Sequence, residues 1–406
     1  MKKIIQQAFF QLRNQPLLSV ITVLGTALAI ALIMVILIVY QAKTADYAPE
    51  VNRSRSLYVK WERTVYDKKD PNSAGHSRPS LWLVKEIFYP LTTPEAVTAT
   101  YEGGEVLVGT VGSDEEMNTP LMLTDAAFWK VYQFRFLAGK PFTEADFQSG
   151  MKQAVIAKSV ARRLFGGAEN AIGKDILVNF AAYTVCGVVD DVNRFCEFTW
   201  SEVYAPYTSN AIASEAEAGQ TSGNNVITIL ARSTDDFDAI RNEVARGVAQ
   251  INTTLGDMEL QLMGQPDNFR MQLNRKFANQ YENLNANFWK YGIMILIILL
   301  VPAINLSGLT NTRMRRRLEE LGIRKAFGAT RNELVWQVLN ENLVLTVMGG
   351  LLGLALAYLF LWLMSDWLLQ TVWGATATMN VIEIGLISFK PWHVMCIYAH
   401  WIGTLR

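Results

Sequence analysis

Residues 291–331 read YGIMILIILLVPAINLSGLTNTRMRRRLEELGIRKAFGATR. The apolar run from Tyr291 to Leu309 ends against Arg313, Arg315, Arg316, Arg317, Arg324, Lys325 and Arg331. A run of roughly 20 apolar residues can cross a bilayer as a helix. Lys and Arg crowded at one end mark that end as cytoplasmic. Pro302 and Asn305 interrupt the run near its inner end. A proline there frees backbone groups that need internal partners, so Pro302 reads as a hinge. Any span needs positive residues at its inner end, which accounts for Arg313 to Arg317 but not for the pattern over 318–338. There Leu318, Leu321, Ile323, Ala326 and Phe327 interleave with charges, Gly328-Ala329-Thr330 breaks the helix, and Leu334, Val335 and Val338 resume an apolar face. This spacing predicts a cytoplasmic helix–break–helix over 311–342, shaped to dock into a groove on a soluble partner.

The apolar run has counterparts on both sides. Leu17–Tyr40 is an uncharged apolar stretch, too long for the h-region of a cleaved signal peptide, and is expected to be span 1 (17–40). Lys2, Lys3 and Arg13 place its N-terminal side in the cytoplasm, and residues 1–16 read as an amphipathic helix on the inner membrane face. Gly25 and Ala29 lie four apart, as do Ala27 and Ala31, a spacing that lets helices approach closely in lipid. Span 2 is expected over 289–310, with Trp289 and Tyr291 at the outer interface. Span 3 is expected over 343–365, with Gly349 and Gly353 as its packing face. An external loop (366–388) comes next. Residues 389–406 are partly apolar, too short for a complete span, and read as a fourth span that is truncated or altered.

Residues 41–288 then lie outside and carry the patterns of a folded α+β domain and stalk. Strands are expected at 154–157, 176–178, 183–189, 226–231 and 258–262. A helix is expected at 158–165, stopped by Gly166-Gly167. A second helix, capped by Ser233 or Thr234, would bury Phe237, Ile240, Val244, Val248 and Ile251 on one face. Residues 66–80, 111–120 and 207–224 read as loops, and 268–290 as a continuous helical stalk into span 2. The whole is an α-helical membrane protein with a large α+β extracytoplasmic domain inserted between spans 1 and 2.

Composition excludes several function classes. Lys plus Arg number 37 and Asp plus Glu 37, so no basic excess points to nucleic acid. Mean hydropathy is +0.15, which suits a few spans carrying a large soluble part. The closest approach to a phosphate loop, GGAENAIGKD (166–175), has the wrong glycine spacing and Asp175 where Ser or Thr is required. His76, His393 and His400 have no partners at metal-ligand spacing. Asp190 and Asp191 are adjacent and point apart, as in a turn. No catalytic constellation, metal or cofactor is expected. Of the three cysteines, Cys186 and Cys196 fall outside the membrane, where a disulfide is feasible, but two separate thiols is the simpler reading.

Residues 319–329, EELGIRKAFGA, resemble the signature E-x-G-I-R-K-A-x-G-A of permeases typified by the macrolide exporter MacB, the lipoprotein-release permeases and FtsX. The segments TDAAFWKVYQFRFLAGKPF (124–142), AVIAKSVARRLFGG (154–167) and AIGKDILVN…YTVCGVVDDV (171–192) resemble that family's periplasmic core domain. The resemblance implies a type VII ABC transporter permease in a bacterial inner membrane, with its large domain periplasmic. It implies that Glu320, Gly322, Ile323, Arg324, Lys325, Ala326, Gly328 and Ala329 dock and couple to a separate cytoplasmic ATPase subunit. It implies a homodimer or heterodimer of permeases in membrane lipid, with a possible role for a periplasmic adaptor or outer-membrane partner. ATP-driven motion would be transmitted to the external domain to export or extract peptides, drugs or lipoproteins. An alternative within the same family is an FtsX-like regulator that activates an external cell-wall hydrolase. The family's fourth span and basic tail are not recognisable in 389–406.

Overall fold

A computed structural model describes residues 16–110, 115–193, 195–275, 277–278 and 325–363, and isolated positions at 289, 292–293, 296–297, 300, 304 and 322–323. The chain divides into two units. One comprises 1–42, 283–365 and 380–406; the other comprises 43–282 and 366–379.

In the first unit, helix α1 spans Pro16–Thr44, and a second long helix spans Arg331–Leu363. Within them Val20–Gln41 and Leu343–Leu363 are long and apolar enough to cross a membrane. The second helix is 33 residues long, about 50 Å at 1.5 Å per residue. The helix starts at Arg331, just after the Gly328 break, and runs on without interruption through the apolar stretch Leu343–Leu363, which lies within the expected span 3 over 343–365. The described positions of the expected span 2 are helical. The amphipathic helix over 1–15, Pro302, the external loop and the fourth span lie outside the described residues.

The second unit is built from two sheets. Its strands are β1 (Ser56–Val59), β2 (Glu62–Val65), β3 (Ala74–Pro79), β4 (Ala96–Gly109), β5 (Glu116–Thr124), β6 (Phe136–Gly139) and β7 (Gln153–Ala157). They continue with β8 (Asp175–Val178), β9 (Ala181–Val189), β10 (Val203–Pro206), β11 (Ser222–Gly223), β12 (Asn225–Leu230), β13 (Glu259–Gln261) and β14 (Asp267–Asn268). The larger sheet runs β14-β1-β12-β4-β5-β10-β7-β9-β6, and β8 pairs with both β4 and β9. Strands β4, β5, β10, β7, β9 and β8 thus close on themselves, which leaves no free edge within that ring. Their inward residues, among them Val108, Leu123, Ile156, Ile176 and Val185, are buried in one core. The smaller sheet runs β11-β3-β2-β13.

Helix α2 (Lys158–Phe165) ends on Gly166 at φ 75°, the left-handed conformation that closes helices. Helix α3 (Phe237–Thr254) buries Ile240, Val244 and Ile251, with Phe237 and Val248 packed at the margin. It carries the chain from β12 in the large sheet to β13 in the small one. The β8–β9 hairpin turns through Asn179 and Phe180, at φ 44° and 67°, the two left-handed positions of a type I′ turn.

Three expectations fail for identifiable reasons. Residues 66–80 are not all loop: the polar stretch 74–79 is β3, because Arg63↔His76 and its neighbours pair in register with β2. Residues 111–120 are not all loop either, since β5 begins at Glu116 opposite Gly109. The stalk is not one continuous helix over 268–290. Helix α4 (Phe269–Asn274) stops at Arg275, whose extended backbone turns the guanidinium back to Asp267. The Arg331–Leu363 helix is accordingly α5.

Candidate functional site

The expected coupling residues form a turn ahead of α5. Gly322, Ile323, Lys325 and Ala326 are helical positions. Phe327 N donates to Ile323 O at 3.0 Å and Gly328 N to Lys325 O at 3.1 Å, which closes the turn. Gly328 has φ 93°, a backbone that favours glycine, and a Cβ there would meet open space. Its requirement is therefore conformational, not steric. Ile323 and Phe327 are exposed, Phe327 by 88%. Ala329 is half-buried; Glu320 and Arg324 lie outside the described residues. The described part of the turn presents two exposed apolar side chains, Ile323 and Phe327, together with Lys325.

The two long helices meet through glycine. A Cβ at Gly349 would lie 2.8 Å from Thr26 Cβ and 3.2 Å from Val23 O. A Cβ at Gly353 would lie 2.7 Å from Ala27 O and 3.0 Å from Ile30 Cβ. Both sites press against backbone, which cannot give way as a flexible side chain can. On α1 the packed stripe is Thr22, Thr26 and Ala27, all buried, and Thr26 Oγ1 donates to Thr22 O at 2.8 Å. The expected packing positions Gly25 and Ala29 lie on a neighbouring stripe. Gly25 has no described atom within 4 Å of its Cβ site, and Ala29 is half-buried. The small side that α1 presents is thus Thr26-Ala27, one helix position round from the Gly25 stripe.

A third arrangement has no counterpart among the sequence expectations. Directly after α1, the segment Ala45–Arg55 is fastened by an ion pair with both side chains fully buried: Arg53 Nε donates to Glu50 Oε2 at 2.7 Å. Arg53 Nη1 donates to Ala45 O at 2.7 Å, and Nη2 to Phe195 O at 2.8 Å. Glu50 Oε1 accepts from Phe198 N and from Thr199 Oγ1, both at 3.0 Å. The guanidinium lies 4.4 Å from the Tyr47 ring centroid and 4.9 Å from that of Phe269, the first residue of α4. Phe269 also packs on Tyr58 of β1 and on Phe198. At the trailing side, Arg275 Nη2 donates to Asp267 Oδ1 at 3.0 Å, again fully buried. Strand β14 pairs with β1 through Leu57↔Asn268 and Tyr58↔Asp267. The leading segment, β1, the 192–199 connection and the trailing helix therefore meet in one cluster.

Electrostatics in this cluster are set by burial. Burial pushes the Glu50 carboxyl up, opposed by the Arg53 guanidinium and by the donors Thr199 and Phe198. Burial works against the Arg53 charge, but the Glu50 carboxylate, with Cys196 and Tyr47 adding to it, raises Arg53 on balance. Cys196 lies 3.5 Å from Arg53 Nη2, and burial, then the Glu50 charge, push its thiol up. Cys186 is pushed up to about 12 by burial. Both thiols are free and neither is activated as a nucleophile. The sequence carried a faint signal for the pair, Glu50 and Arg53 three apart in a short polar stretch, but that spacing is ordinary on a surface.

Asp125, Asp190 and Asp191 make structural contacts. Asp125 accepts from Thr98, Ala99, Tyr89 and Phe128, so every lone pair in reach is used. Asp191 accepts from Ser159 N at the start of α2, and Asp190 lies between Arg135 and Lys158 at 3.9 and 3.8 Å. Among the described residues no group of three His, Cys, Asp or Glu could hold a metal ion.

Residues 19–246 match the MacB-like periplasmic core domain, and residues 292–398 match the FtsX-like permease C-terminal domain. The chain belongs to the MacB-like, FtsX-like permease family. Among similar proteins is a permease of Bacillus subtilis (strain 168) named "Uncharacterized ABC transporter permease YknZ", 23% identical over 395 residues. That match covers 95% of this chain and 90% of the relative. The macrolide export ATP-binding/permease protein MacB of Wolinella succinogenes is 25% identical over 359 residues, covering 86% of this chain and 52% of that protein. The chain thus spans about half the length of that relative. Among the solved structures similar to this permease are the extracellular domain of YknZ and the periplasmic region of MacB from Actinobacillus actinomycetemcomitans. The first is 19% identical with TM-score 0.37, covering 51% of this chain and 99% of that one. The second is 14% identical with TM-score 0.37, covering 55% and 94%.

Proposed function

We propose that this permease is the membrane subunit of an ABC exporter in a bacterial inner membrane, driven by a separate cytoplasmic ATPase that docks on the turn at 320–329. The single observation that carries the reading is the pair of exposed apolar side chains, Ile323 and Phe327, held on a fixed turn at the start of α5. A helix of that length is a stiff lever, and Gly349 and Gly353 seat it directly on α1. A push at the turn is conveyed along α5 to α1, and α1 leads by one residue into the leading segment of the external domain. Motion then reaches that domain without a substrate path through the membrane, which is mechanotransmission. The names of the relatives, macrolide and pyoverdine export proteins among them, favour export of small molecules or peptides over activation of a cell-wall hydrolase. The permease would act as a homodimer or heterodimer in lipid, with the Gly25 and Ala29 stripe of α1 meeting another helix and Pro302 as hinge. A periplasmic adaptor is a compatible further partner.

The test is co-purification of the full chain from its host in mild detergent, with ATP hydrolysis measured in the retained fraction. The expected result is a retained ATPase whose hydrolysis falls when the permease is removed. Recovery of the intact permease with no ATPase would refute the proposal.

A further inference from the structure

We infer that Arg53 is the positioning residue that makes the two connections to the spans act on the external domain as one body; this rests on the mechanotransmission reading above. The Arg53 guanidinium has donors in a rigid fork that join two pieces of chain: Nη1 to Ala45 O and Nε to Glu50 within the leading segment, and Nη2 to Phe195 O in the 192–199 connection. Glu50 extends the contact to Phe198 and Thr199. The 192–199 connection joins β9 to β10, two strands of the closed ring. One face of the guanidinium is covered by Tyr47, and Phe269 packs 4.9 Å away. Phe269 opens α4, which ends in the buried Arg275–Asp267 pair.

Stability alone does not explain such a choice. A buried ion pair gains little over well-packed apolar side chains of the same volume. It does impose direction, because each hydrogen bond tolerates only a narrow range of angle. A displacement of Ala45 cannot be absorbed by sliding, as it could between greasy surfaces. It must move Arg53, and with it Phe195, Glu50 and Phe269, or break buried hydrogen bonds. Phe269, the first residue of α4, packs on the same group and so abuts the junction. The junction is therefore a rigid coupler between the leading segment, the trailing helix and the strand ring, with Arg53 at its centre.

The test uses the full permease with its retained ATPase, and reads backbone hydrogen exchange in 192–199 and 267–275 with and without ATP plus vanadate. R53K keeps a cation beside Glu50 but loses the three-way fork. Should R53K fold poorly, the double variant R53M/E50L replaces the pair by apolar side chains of similar volume. The wild type is expected to change exchange in both segments by about tenfold on trapping nucleotide, a usual size for coupling between sites. The folded variant is expected to keep ATPase binding and basal hydrolysis while losing that response, with the change in the spans intact. An unchanged response in the variant would overturn the role of Arg53 and leave the exporter reading standing. Absence of any response in the wild type with ATPase bound would refute the mechanotransmission reading and this inference with it. Loss of the folded external domain in both variants would also overturn it, since Arg53 would then serve folding only.

Discussion

The junction around Arg53 and the turn around Phe327 are opposites in construction. At the junction two cations and two carboxylates are fully buried and paired, and two aromatic rings flank the Arg53 guanidinium. At the turn the apolar side chains face outward, and backbone hydrogen bonds among the described residues close it. Burying charge costs several kcal/mol per ion unless it is paired, so a buried pair is a fastening that must not come apart. An exposed phenylalanine adds nothing to the fold and is free to bind elsewhere. On the proposed reading, the junction would pass motion on and the turn would receive it.

The strongest way to break that contrast is R53A. It leaves Glu50 buried without its cation, and the external domain is expected to lose about 3–5 kcal/mol. Chemical denaturation of the full chain in detergent would measure this, and a loss under 1 kcal/mol (about a quarter of that range) would mean the pair is not a fastening. Next in size is G353L. Its side chain would have to displace Ala27 O, and overpacking of this kind costs about 1–3 kcal/mol. G25A should cost almost nothing, since no described atom lies within 4 Å. Equal losses from the two substitutions would move the helix contact to the Gly25 stripe. A smaller effect, about 1–2 kcal/mol, is expected from G328V, because a side chain at φ 93° is strained. Circular dichroism melts should show the fold retained.

The smallest effect concerns Glu95, held below the ordinary carboxylate range by the hydrogen bond from Arg55 at 2.7 Å, with Lys130 and Arg232 adding to it. A carboxylate with a depressed folded pKa contributes stability above its unfolded pKa and loses it as pH falls through the folded value. The pair is about one-third exposed, so E95Q should cost less than about 1 kcal/mol at neutral pH. The gap between wild type and variant should close as pH falls below the ordinary carboxylate range; a gap that widens would reverse the assigned sign.

What was legible in the sequence was local. The strand at 154–157, the helix at 158–165 and the hairpin at 176–189 follow from periodicity and from glycine at the helix end. The buried face of α3 was readable for the same reason. Strand β3 was not, because Gly75, His76, Ser77 and Arg78 carry no apolar alternation; they are a strand because β2 pairs with them. The stalk looked helical because nothing in its composition opposes a helix, yet Arg275 turns back for a carboxylate eight residues away. Small residues at Gly25 and Ala29 were legible, but that Thr26 and Ala27 are what meet α5 depends on how the two helices cross, and that is a tertiary fact. The Glu50–Arg53 pair carried only a faint signal, because burial, not spacing, gives it meaning. The family signature was legible in full, and it supplied residues such as Glu320 and Arg324 that lie outside the described structure.

The measurement that bears most directly on the central claim is the ATPase activity retained per permease by F327D, beside the wild type. Phe327 is 88% exposed, so the substitution leaves packing alone and alters only what the turn can bind. The predicted result is retention lowered by about tenfold or more, the size expected for losing a hot-spot side chain, with an unchanged melting temperature. Full retention by F327D would contradict the claim and remove the turn as the place where the ATPase acts.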